Sequence, residues 1–285
     1  MDLSILQSLE NIRCGFLTAL FSVFTFLGEE TFLILAIALV YWALNKRAGE
    51  FLIYSVLMST AFNGVIKDAV KRPRPYASGD VSKVEIDNFF VSTAELDNSY
   101  SFPSGHSQNG GAFFSSVIIN FKNRPLRIAC AAAILLIMLS RLYLGVHYPT
   151  DVLAGAAMGI AFSLITYLIY SEFYEKRGWI FLVAAVLFCA CLFFAGSEDT
   201  FKAAGSFLGA AAGLLLEQKF VNFDNDCVWW KKTLRIILGI ALVLGLRVLL
   251  KLIFPAMLIF DFIRYFAMIF SMTGLYPFLF KKLGF

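Results

Sequence analysis

Charge is scarce in this chain. Asp, Glu, Lys and Arg make up 15% of its 285 residues, where an average soluble domain carries about 25%. No long polar segment is present, which leaves no room for a separate soluble domain. The five cysteines are an odd number with no metal-ligand spacing, and Cys130, Cys189 and Cys191 fall inside apolar runs. That pattern supports neither a zinc site nor a disulfide framework. The opening Met-Asp-Leu-Ser-Ile lacks a basic n-region, and no small-residue cleavage site precedes the apolar stretch, so a cleaved signal peptide is not expected. No repeat of fixed period is evident. Histidine occurs only twice, as His106 and His147.

What is present is apolar: 59% of the residues are hydrophobic, 31 of them Phe, and the mean hydropathy is +0.75. A soluble core of this size would not need that excess. The expectation is an all-α, polytopic membrane bundle. Apolar runs lie at about 25–44, 50–66, 106–121, 127–144, 150–170, 179–195, 201–216, 236–254 and 257–280. Most approach the ~17–25 residues a bilayer requires, which predicts nine spans, with 201–216 the shortest fit. Residues 1–24, with Glu10 and Arg13 before an apolar patch, read as an interfacial helix. Gly155 and Gly159, and Gly205, Gly209 and Gly213, have the small-residue spacing that lets helices pack closely in lipid.

Basic residues occupy every second connection: Lys46 and Arg47, then Lys122, Arg124 and Arg127, then Lys176 and Arg177, then Lys219, Lys231, Lys232 and Arg235, then Lys281 and Lys282. The positive-inside rule then puts the N-terminus outside and the C-terminus inside. A separate span at 13–27 would put the N-terminus inside instead, and Arg13 leaves that open. The stretch 68–102, with Asp80, Glu85, Asp87, Glu95 and Asp97, and both histidines fall on the outer side. A loop of that length reads as a lid.

Three clusters on that side carry chemistry. Lys67 is followed by Arg74-Pro75. Pro103-Ser104-Gly105-His106 opens one apolar run. Ser140-Arg141 is followed by His147 and Asp151, at a junction where Pro149 suits the first turn of a helix. His147 and Asp151, four apart, can share a helix face, so the carboxylate can orient the imidazole. Arg and Lys clamp phosphoryl oxygens. A helix opening at Ser104-Gly105-His106 offers free N–H groups to an anion, and Gly105 lets backbone come close. Basic residues at span ends usually anchor topology, yet Lys67 and Arg141 lie on the side where the orientation rule disfavours them. Asp68, Lys71 and Arg72 are given no role. Lys251, Asp261 and Arg264 flank the last outer turn, where pairing with one another or with lipid is the expectation.

These clusters resemble the three signature motifs of the type-2 phosphatidic acid phosphatase superfamily. It includes lipid phosphate phosphatases, undecaprenyl-diphosphate phosphatases and glucose-6-phosphatase. Every signature position is filled: Lys67, Arg74 and Pro75; Pro103, Ser104, Gly105 and His106; Ser140, Arg141, His147 and Asp151. The resemblance spans 67–151 and implies roles. His147 is the nucleophile, oriented by Asp151. His106 protonates the leaving oxygen, then serves as base for the water that hydrolyses the phosphohistidine. Lys67, Arg74, Ser104, Gly105 and Arg141 hold the phosphoryl oxygens, with no metal or other cofactor. It divides the chain into an N-terminal helix at 1–24, a phosphatase core at 25–171 and additional membrane helices at 172–285. A lipid phosphate in the plasma membrane of a bacterium is the favoured substrate, reached from the extracytoplasmic side, with no nucleic acid partner. A nine-span plan is also similar to the sugar-phosphate branch. Transfer to an alcohol instead of water, and a non-enzymatic carrier with a degraded site, are the rival readings. The particular lipid and the oligomeric state stay open.

Overall fold

The computed structural model describes residues 2–86, 91–93, 96, 99–193, 197–255 and 257–284. Asp87, Glu95 and Asp97 of the acidic stretch 68–102 are not among these. All regular structure among the described residues is helical. In chain order the helices are α1 (Asp2–Asn11), α2 (Gly15–Phe26), α3 (Glu30–Leu39), α4 (Lys46–Val70), α5 (Gly105–Asn120), α6 (Arg124–Tyr143), α7 (Pro149–Glu172), α8 (Arg177–Cys189), α9 (Glu198–Leu216), α10 (Trp229–Ile253), α11 (Leu258–Phe270) and α12 (Tyr276–Leu283).

Five segments are long and apolar enough to cross a bilayer: Lys46–Ser78, Arg124–Tyr143, Pro149–Glu172, Trp229–Ile253 and Leu258–Phe280. The pair Gly15–Phe26 and Glu30–Leu44, bent by 50° at its break, makes up to a sixth. Each of the nine apolar runs contains a helix, but three of these helices fall short of a span. Helices α5 and α8 have 16 and 13 residues, and α9 opens with Glu198, Asp199 and Lys202. The N-terminal stretch is two helices rather than one.

The chain forms two compact units, Met1–Leu33 with Phe62–Leu164, and Ile34–Ala61 with Ile165–Phe285; the boundaries fall inside α3, α4 and α7. In the first unit, α5 and α7 touch through backbone. A Cβ at Gly155 would stand 2.6 Å from the Ser104 carbonyl oxygen, and one at Gly159 only 2.1 Å from that of Gln108. Asn123 caps α6, its Oδ1 accepting from the Leu126 N–H at 2.9 Å. The stretch after α4 is packed down: Ile86 and Val91 join Tyr143, Leu144 and Val146 in one buried cluster. Leu6 of α1 packs with Val81, Leu142 and Val152. Arg13 adds a polar hook, donating to the carbonyls of Tyr143 at 3.0 Å and Ser82 at 2.9 Å.

In the second unit, the Gly205, Gly209 and Gly213 stripe of α9 meets α11 and the turn beyond it, facing Phe262 and Phe266 carbonyls and the Thr273 hydroxyl. Glu50, 1% exposed, accepts from Tyr170 Oη at 2.6 Å and Arg177 Nε at 2.8 Å. Lys46 pairs with buried Glu217 at 2.8 Å. Arg264 pairs with Asp261, one of the pairings expected there.

Candidate active site

The described signature residues come together in the first unit, although 84 positions separate Lys67 from Asp151. Helix α4 brings Lys67 on its last turn. The segment after it brings Arg74, α5 opens at Ser104-Gly105-His106, α6 ends with Arg141, and the 144–148 connection into α7 holds His147. Lys67, Arg74, Ser104, Arg141, His147 and Asp151 are all buried.

His147 sits at the centre. Its Nε2 is 3.2 Å from Nη1 of Arg74, and its Nδ1 is 3.6 Å from Oδ2 of Asp151 and 3.4 Å from Oγ of Ser101. Burial, and then the cations Arg74, Arg141 and Lys67, push the protonation of this imidazole well below its ordinary range, so it stands neutral at neutral pH. A neutral ring has a free lone pair on one nitrogen, which a nucleophile requires. Asp151 is held from several sides. Ser101 Oγ donates to Oδ2 at 2.5 Å, the Tyr148 N–H donates to Oδ2 at 2.9 Å, and Arg72 Nη1 donates to Oδ1 at 2.7 Å. Its backbone carbonyl accepts from the Ser104 N–H at 3.1 Å, tying α7 to the mouth of α5.

The cations are braced by backbone and hydroxyls. Lys67 Nζ donates to Ser99 Oγ at 2.9 Å, while Arg74 donates to the carbonyls of Ser99 at 2.8 Å and Val146 at 3.0 Å. Arg141 donates through Nη1 to Thr25 Oγ1 at 2.6 Å. Its Nε and Nη2 are buried and without a hydrogen-bond partner among the described residues. Such a group is costly unless a ligand meets it, and a guanidinium edge fits phosphoryl oxygens. A Cβ at Gly105 would lie 3.9 Å from Lys67 Nζ, so its absence opens room beside that ammonium. Ser140 is turned elsewhere, donating to the Ile137 carbonyl at 2.6 Å.

Several contributors carried no signal in the spacing. Arg72, given no role from sequence, is on Asp151 and stacks on Tyr148, its guanidinium 4.0 Å from the ring centroid. Ser99 and Ser101 belong to the 68–102 stretch expected to act as a lid, and they brace Lys67, Arg74 and Asp151 from within. Glu29, at the break between α2 and α3, places Oε1 2.9 Å from His106 Nε2. Only a residue's place in the folded chain reveals such partners.

This is a buried, cation-lined, helix-borne site with the charge to hold an anion. The family model described as PAP2 superfamily matches residues 49–175, and the one described as PAP2 superfamily phosphatase, transmembrane extension, matches 201–285. The chain belongs to the PAP2 superfamily and is membrane-embedded. It is 34% identical over 124 residues to the lipid A 1-phosphatase of Rhizobium johnstonii, a match covering 44% of this chain and 48% of that protein. It is 28% identical to mouse sphingosine-1-phosphate phosphatase 1, over 81% of this chain and 59% of that one. The chain thus spans about half the length of these relatives. A crystal structure of a PAP2-type phosphatidylglycerolphosphate phosphatase from Bacillus subtilis aligns over 60% of this chain and 85% of its own, with 24% identity and a TM-score of 0.48.

Proposed function

We propose that this protein is a membrane phosphatase that removes a phosphoryl group from a lipid phosphomonoester or diphosphate. The Nε2 lone pair of His147 attacks phosphorus. The P–O bond to the lipid breaks, and its oxygen takes a proton from His106. Water then attacks the phosphohistidine and gives its proton to His106, and the P–N bond breaks back to His147. Asp151 keeps the His147 ring in place and favours the charge that forms on it. Lys67, Arg74 and Arg141, with the N–H groups at the mouth of α5, hold the phosphoryl oxygens, so side chains provide the charge a metal would otherwise bring.

One observation carries this reading: a buried imidazole stands 3.2 Å from Arg74 in a site where Arg141 keeps two buried nitrogens without a partner among the described residues. The relatives named above are phosphatases of lipid phosphates, which supports a lipid substrate. The alternating basic connections support a site facing the extracytoplasmic side of the plasma membrane and the finer count of nine spans. The family matches at 49–175 and, for the transmembrane extension, at 201–285 support a catalytic core at 25–171 followed by extra helices at 172–285. The test is phosphate release by purified protein over lipid phosphates, lipid diphosphates and sugar phosphates, with EDTA throughout. Release from a lipid ester that His147→Ala abolishes is the expected result. Inertness towards every lipid ester, or activity that returns only with Mg²⁺, would overturn it.

A further inference from the structure

The geometry points to Glu29 as the positioning carboxylate of His106, so that each histidine of the site has its own acidic partner. The inference rests on the phosphatase reading above. Glu29 lies outside the three motifs, in the break between α2 and α3. That break is seated on α5: a Cβ at Gly28 would stand 3.1 Å from both the Cβ and the carbonyl oxygen of His106. One turn earlier, Thr25 accepts from Arg141. The 25–29 segment therefore reaches two site residues, one on α6 and one on α5.

Oε1 of Glu29 is 2.9 Å from Nε2 of His106, with both side chains mostly buried. The pair is within ion-pair reach but off the line of a well-formed hydrogen bond. Burial and the charges of Arg141 and Lys67 push the protonation of the His106 ring below its ordinary range, and Glu29 is the carboxylate that works against them. An imidazole has two nitrogens, and a partner on one fixes which is left for chemistry. With Nε2 turned to Glu29, Nδ1 is the atom that gives a proton to the ester oxygen and later takes one from water. His147 is arranged the opposite way, with Nδ1 towards Asp151 and Nε2 towards Arg74. Glu29 is assigned to act through His106, the site residue its carboxylate meets.

The test compares Glu29→Gln and Glu29→Asp with the parent on an alkyl lipid phosphate and on an aryl phosphate, whose leaving group needs little protonation. Glu29→Gln should lose kcat on the alkyl ester by on the order of 10–100-fold. Phosphohistidine formation from the aryl ester should fall far less, and Glu29→Asp should recover part of the lost kcat. Equal losses on both esters, with a lowered unfolding temperature, would mark Glu29 as merely structural and overturn the assignment. Unchanged kcat on both esters would overturn it as well. A parent inert on both esters would bring down the phosphatase reading itself, and this assignment with it.

Discussion

Replacing Gly159 by alanine adds one methyl group where two helix backbones meet. Its carbon would stand 2.1 Å from the Gln108 carbonyl oxygen and 2.7 Å from the Ala112 nitrogen. A carbon–oxygen contact normally settles near ~3.3 Å, so α5 and α7 must part by about 1 Å. Neither obstacle is the end of a flexible side chain, so the strain cannot relax by a rotamer change. Overpacking of this kind costs about 1–3 kcal/mol, against about 1 kcal/mol that alanine gains over glycine in a helix. The catalytic effect should be larger than the thermal one. His106 rides on α5 and Asp151 on α7, and a 1 Å misplacement of catalytic groups can cost on the order of 10²-fold. Gly245→Ala, with nothing within 4 Å, supplies the control. Unfolding temperature in detergent and kcat/KM on a lipid phosphate are measured for both. If Gly159→Ala matches Gly245→Ala in both, the close approach of α5 and α7 is not what aligns the site.

Because burial and three cations keep His147 neutral, the acid limb of kcat/KM should lie well below the ordinary imidazole value of about 6.5. A limb at or above that value would contradict it. The same depression makes His147 a source of stability above about pH 6.5 that is lost as pH falls, because the unfolded chain then binds the extra proton; a pH series of unfolding temperatures in the parent and in His147→Gln tests this. Arg177→Met leaves Glu50 charged and buried, and should destabilise the second unit by roughly 3–5 kcal/mol, whereas Arg177→Met with Glu50→Gln should recover much of the loss. An unfolding temperature equal in parent and Arg177→Met would refute that pairing. In a cysteine-free background, Asp80→Cys and Lys122→Cys should label from opposite sides of oriented vesicles; labelling from one side would overturn the orientation.

The helices and the polar residues that the fold gathers are legible in the sequence because each leaves a local mark. Apolar runs mark helices, glycines four apart mark close crossings, and fixed spacing marks Lys67 with Arg74 and His147 with Asp151. Where the signal is only length and hydropathy, the reading was less sharp. Helices α5, α8 and α9 form, but none is both long and apolar enough to count as a span, since α5 is rich in Gly, Ser and Asn and α9 starts with charges. The braces of the site left no local mark. Glu29 looks like an ordinary charge at a helix end until Gly28 seats it on His106. Arg72 looks like one more basic residue until α7 brings Asp151 to it. Ser99 and Ser101 sit in a polar stretch whose inward packing depends on Ile86 and Val91 burying themselves against Tyr143 and Val146.

Bonding of phosphorus to His147 while His106 handles protons can be read directly from a trapped intermediate. His106→Ala is mixed with an activated aryl phosphate, quenched rapidly in alkali and digested, and the peptide containing His147 is weighed by mass spectrometry. Attack by His147 needs no acid with such a leaving group, but release of the phosphoryl group lacks its base, so phosphohistidine should accumulate at position 147. An unmodified His147 in a variant that still releases the aryl alcohol, or turnover of the aryl ester by His147→Ala, would contradict that division of labour.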